Sequence, residues 1–213
     1  MQLAKSVERN GSKVWQGVLV LALAVALWPN LTLADGRVAP PVPNRNRELP
    51  SRAVQAGALT SLLHAPEAQI SALTLRRIGP DVADLLVEYA TAAGQDMQVR
   101  LRSLAWLQYF PGPQAKAVLL ETLRAQETPV SARRVCLRAL ALAFGSEMVP
   151  TVRDSLQDRN VFIREAAALA LGDIDDRRVP DILTDHLQRE QQLAVRDAIM
   201  GSLRKLAERH ANP

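Results

Sequence analysis

From Ser51 onward, apolar residues recur every three to four positions and no stretch alternates apolar with polar, so the pattern predicts helices and no strands. The pattern is itself periodic. Arg100, Arg133, Arg164 and Arg196 follow one another at intervals of 33, 31 and 32 residues, each preceded by a small or branched apolar residue (Val99, Ala132, Ile163, Val195). Seven residues after each arginine stands a leucine (Leu107, Leu140, Leu171, Leu203), and ten after stands another apolar residue (Phe110, Ala143, Ile174, Leu206). Further on, Leu119, Val152 and Leu183 hold one register, and Leu123, Leu156 and Leu187 hold a second. Gly or Pro separates the halves of each unit, at Pro111-Gly112-Pro113, Gly145 with Pro150, and Gly172 with Pro180. Proline suits the first turn of a helix, where no N–H is needed. Each unit therefore reads as helix, turn, helix.

An earlier, worn unit fits with Ala68 in place of the arginine, Leu75 and Ile78 on its first helix, and a second helix from Asp81 to about Ala92, one residue short at Gly79-Pro80. Residues 51–64 form one more helix, an N-terminal cap, and 193–209 form the last. A lone helix pair cannot bury its apolar stripe, whereas stacked neighbours build one continuous core.

The stretch 160–187, NVFIREAAALALGDIDDRRVPDILTDHL, resembles a HEAT repeat, and more narrowly the short HEAT-like repeats first recognised in phycobilin lyases. The resemblance lies in Ile163-Arg164, Ala166-Ala167-Ala168, Leu171-Gly172, Ile174 and Val179-Pro180, and covers roughly residues 67–209. The positions matching Gly172 are Gln108, Ala141 and Arg204, so the other units depart from the pattern. The resemblance implies an all-α, right-handed α-solenoid of stacked helix-turn-helix repeats, about four plus capping helices. It also implies that the second helices line a concave binding face. It does not specify a function, because such repeats serve many roles.

The first fifty residues follow a different pattern. Lys5, Arg9 and Lys13 precede an apolar run, VWQGVLVLALAVALW, then PNLTLA and Asp35. Basic start, apolar middle and small residue at the cut make residues 1–34 a secretory signal peptide, with cleavage expected after Ala34. Residues 14–34 carry no charge and are just long enough for an uncleaved anchor, which is the alternative. Either way the basic flank stays inside and the rest is exported, periplasmic if the source is bacterial. Residues 35–50, with Pro40, Pro41, Pro43 and Pro50, form a Pro-rich disordered linker, leaving 51–213 as the repeat domain.

Charge narrows the partners. The formal net charge is +4, and four lysines stand among 26 basic residues, so the pI near 9.7 reflects arginine. The arginines alternate with Asp and Glu rather than gathering on one face, which argues against nucleic acid. One cysteine, Cys136, excludes a disulfide framework, and it matches Ala167 and Ile199 in the repeat, the position of a small core residue. Among the three histidines, His186 has no second His or Cys at ligand spacing, so no metal and no cofactor are expected. The turn Asp173-Ile174-Asp175-Asp176 lacks EF-hand spacing and reads as a cap for the next helix. No phosphate loop, GxSxG or HExxH occurs, and no catalytic constellation is visible.

Three candidate features remain. The recurring arginines are expected to bridge to carbonyls or carboxylates of the preceding repeat, with Asp96, Glu127, Asp158 and Glu190 as acidic candidates. Twenty-one residues after the first three arginines stand Glu121, Asp154 and Asp185, joined by Glu88 if the one-residue gap is accepted. They lie off the apolar stripe, as an acidic row for a basic segment of a partner or as a solvated face balanced by Arg124, Arg153 and Arg189. Trp106 stands where other units have Ala139, Ala170 and Ser202, and with Tyr109 it is either an interface anchor or a core filler. The expected function is an exported scaffold or adaptor that binds another protein in the cell envelope. The alternatives are a lyase- or chaperone-like factor acting on a cofactor-bearing client, and a membrane-tethered structural spacer.

Overall fold

The computed structural model describes residues 49–65 and 70–211. The signal or anchor at 1–34, nearly all of the linker at 35–50, and Ala68 lie outside the described residues. The described residues are helical throughout, with no strand among them. In order they form α1 (Arg52–His64), α2 (Ala72–Ile78), α3 (Val82–Thr91), α4 (Met97–Trp106), α5 (Pro113–Arg124), α6 (Val130–Phe144), α7 (Val149–Ser155), α8 (Val161–Asp173), α9 (Val179–Leu187) and α10 (Leu193–Ala211). Short 3-10 turns follow α4 at Leu107–Tyr109 and α6 at Gly145–Met148.

Local chemistry sets these boundaries. Ser51, Ser71, Asp96 and Asn160 cap α1, α2, α4 and α8, each side-chain oxygen accepting an otherwise orphaned N–H of the first turn. Pro113, Pro150 and Pro180 sit in the first turns of the second helices α5, α7 and α9, as the spacing predicts. Gly145 ends α6 at φ +52°, a left-handed conformation that a side chain would disfavour.

The helices stack in two rows. The first helices α4, α6, α8 and α10 pack consecutively on one another, and each second helix packs chiefly on the first helix of the next unit: α3 on α4, α5 on α6, α7 on α8, α9 on α10. The leucine and β-branched registers fill the space between the rows. Leu107, Leu140, Leu171, Leu119, Val152 and Leu183 are fully buried, with Ile174 and Leu206 beside them. Cys136 is buried as expected, and burial pushes its thiol pKa up to about 12 against a weaker opposing bond from Thr122. The run 130–155 is long and apolar enough to cross a membrane, but α6 spends that apolarity on α4, α5 and α8.

The arginines tie the units together. Each donates to main-chain carbonyls at or just past the end of the preceding second helix: Arg100 to Ala92 at 2.7 Å, Arg133 to Leu123 at 3.0 Å, Arg164 to Asp158 at 2.9 Å, Arg196 to Leu187 at 2.8 Å. Those carbonyls carry the negative end of the helix dipole and lack intrahelical donors, which is why a guanidinium fits there. The expectation for the carboxylates needs correction. They come from the turn that closes the arginine's own unit, not from the preceding repeat: Arg133 meets Asp158 at 2.5 Å, and Arg164 grips Glu190 with two bonds of 2.8 and 3.1 Å. Asp96 instead caps α4. Because second helices pack forward onto the next unit, an arginine at the start of a first helix reaches the turn on either side.

Candidate functional site

An open groove of about 860 Å³ lies on one side of the array. It runs across α4, α6, α8 and α10. Its apolar floor includes Leu101 and Ala105 from α4, Val135 and Ala139 from α6, Ala166, Leu169 and Ala170 from α8, and Gly201 from α10. Arg134, Arg138, Asp173 and Lys205 supply the charge, and Gln108 and Tyr109 close the α4 end.

Small side chains create this groove. Ala139, Ala170 and Ser202 are buried at the helix contacts, and Ser202 Oγ donates to the Ala168 carbonyl at 2.9 Å. At Gly172 the approach is closest: an added Cβ would lie 2.6 Å from the Ser202 side chain and 3.0 Å from its Cα. The second helices α5, α7 and α9 make little direct contact with one another by comparison. The first-helix row is thus the tighter row, and the groove runs along it. The resemblance implied a concave face on the second helices. The structure puts the groove on the first helices, because the run of small residues lies there.

The groove's electrostatics centre on one carboxylate shared by two cations. Asp173, mostly buried, lies 3.8 Å from Arg138 on α6 and pairs with Lys205 on α10. Arg138 is 75% exposed, so its charge faces the groove and solvent together. Arg134 lies 3.9 Å from Glu165 and stacks over the exposed ring of Phe162 at 5.9 Å. Leu169, Leu142 and Met97 on these helices are 40–48% exposed, an apolar surface that the core does not use.

The six residues singled out from sequence scatter across the molecule. Glu88, Glu121, Asp154 and Asp185 are exposed on α3, α5, α7 and α9, and none lines the groove. Glu88 pairs with Arg52 of α1, and Asp154 with its neighbour Arg153 at 3.0 Å. Arg189 bonds the Asp185 main-chain carbonyl at 3.3 Å. Trp106 is half-buried against the core and outside the groove. Tyr109 alone lines it, with its hydroxyl donating to the Ile70 carbonyl at 3.3 Å.

The turn after α8 is a hub of ion pairs. Asp173 is engaged as above, Asp175 lies 3.2 Å from His210, and Asp176 accepts the Arg178 N–H at 2.9 Å and its guanidinium at 2.7 Å. The Arg178 bonds hold the Asp176 carboxyl well below the usual range. His186 Nε2 approaches Glu190 at 3.3 Å, within ion-pair range but not aligned for a hydrogen bond. No group of three or more His, Cys, Asp or Glu among the described residues is arranged to hold a metal.

Residues 117–204 match the family model for HEAT repeats, a span that begins within α5 and ends within α10. The match falls within an all-helical array of two packed rows, and proteins with HEAT repeats are commonly protein–protein interaction scaffolds. No curated protein matches the chain.

Proposed function

We propose that this chain is a protein-binding scaffold, and that the groove along α4, α6, α8 and α10 is where a partner protein sits. The observation that carries this is the groove itself: a concavity spanning four helices, floored by apolar side chains and edged by Arg134, Arg138 and Lys205. An open groove with an apolar floor and charged edges is a shape into which side chains of a protein partner fit. The reading includes a right-handed array of four helix pairs between α1 and α10. It also includes export by residues 1–34, cleaved after Ala34 or kept as an anchor, with 35–50 as the spacer holding the array in the cell envelope. The acidic row on the second helices is a solvated face in this reading, since Glu88 and Asp154 already have basic neighbours. A lyase- or chaperone-like use would seat a cofactor-bearing client in the same groove, and no separate observation favours it over plain binding.

The test is site-specific photocrosslinking in the native cell. A photoreactive amino acid at position 169, in the groove, is expected to trap a discrete protein adduct. The same group at position 121, on the opposite row, is expected to trap none. Equal labelling from both positions, or none from 169, refutes the reading. Intact mass of the recovered chain reports whether it begins at Asp35.

A further inference from the structure

We infer that the groove selects an acidic segment of its partner carrying a large apolar side chain, an inference that rests on the binding reading above and adds the chemistry of what is bound. The groove crosses α8. Ala166 and Ala170 form its floor, and on the α10 side Gly201 has nothing within 4 Å of where a Cβ would stand. That leaves a shallow, open trough over small residues, with Leu169 exposed beside it. The two sides of the trough are cationic, Arg138 from α6 and Lys205 from α10, and the one carboxylate between them, Asp173, is shared by both. Two cations on one carboxylate leave a positive charge uncompensated. Asp173 also bonds Lys205 before anything binds, which reduces the ordering that binding requires of that side chain. Carboxylates flanking a Leu, Phe or Trp therefore meet Arg138 and Lys205 while the apolar group enters the trough. The apolar floor favours such a segment over a polyanion that has charge alone. This partner is opposite in charge to the basic segment that the acidic row on the second helices would attract.

The experiment uses the purified full-length chain and four fluorescent twelve-residue probes measured by anisotropy: Glu/Leu-rich, Lys/Leu-rich, Glu/Ser-rich, and a dT12 oligonucleotide. The Glu/Leu peptide is expected to bind at least tenfold more tightly than the other three, and to weaken as salt rises from 50 to 300 mM. Arg138→Glu with Lys205→Glu is expected to reduce its affinity at least tenfold, and Gly201→Trp, which fills the trough without changing charge, to do the same. Circular dichroism checks that each variant stays folded, and Glu121→Lys with Asp185→Lys is expected to change nothing. Preference for the basic peptide, tighter binding of dT12, or affinity indifferent to both groove variants overturns the inference. Photocrosslinks from position 169 to a partner's basic segment would overturn it while leaving the scaffold reading intact, whereas loss of all crosslinks would remove the scaffold reading itself.

Discussion

Replacing Glu190 by glutamine tests the link between neighbouring units directly. The carboxylate is buried, holds Arg164 through bonds of 2.8 and 3.1 Å, and accepts the main-chain N–H groups of Gln191 and Gln192 at 3.0 and 2.9 Å. The Arg164 bonds, acting against desolvation, lower its pKa from 4.5 to about 2. A depressed acid contributes stability that is fully present above its unfolded value and is lost as pH falls through the folded one. The shift sets an upper limit of about 3 kcal/mol, and partial solvent screening brings the expected contribution to roughly 2 kcal/mol at pH 7. Glu190→Gln keeps the shape but turns an amide, with donors of its own, toward a guanidinium and two N–H groups. Urea unfolding at pH 7 should show that loss. By linkage about 60% of the difference between wild type and variant should be gone at pH 3. A variant as stable as wild type at pH 7, or a deficit that stays constant down to pH 3, would refute the argument.

Other outcomes follow from single residues. Gly172→Ala must push α8 and α10 apart at Ser202, so it should lower stability by roughly 1–3 kcal/mol in thermal melts despite the better helix propensity of alanine. Gly201→Ala, within α10 and with open space around it, should raise stability by up to about 1 kcal/mol, and the opposite sign at these two glycines is the check. Cys136, buried with its pKa near 12, should resist thiol reagents in the native protein at pH 8 and react at once in denaturant.

Much of the architecture was legible because the repeat writes each position several times. The leucine registers, the proline starts of α5, α7 and α9, and the small core position at Cys136 need only spacing and residue volume. The partners of Arg133 and Arg164 were misjudged because spacing alone does not show that second helices pack forward onto the next unit. The groove was missed for a related reason. The fifth residue after each arginine, Ala105, Arg138, Leu169 and Gly201, lines it, and so do Tyr109, Asp173 and Lys205 from the ninth. These columns are chemically mixed, so no periodic signal marks them, whereas the acidic column that does repeat lies on the other row. The exposed Leu169 and Leu142, apolar residues on helix faces turned from the core, were the available clue.

The arginines have a consequence under tension. Leu123, Arg133, Asp158, Arg164, Glu190 and Arg196 form an unbroken succession of bonded groups that passes from one inter-unit turn to the next. A force that stretches the array pulls these links in series, and a series yields at its weakest member. Arg100 holds the Ala92 carbonyl, but among the described residues its buried Nε has no bonded partner and no carboxylate clasps it as Asp158 and Glu190 clasp Arg133 and Arg164. Stretched from its ends, the molecule should therefore hold best from α6 to α10, where charged side chains join the turns in series.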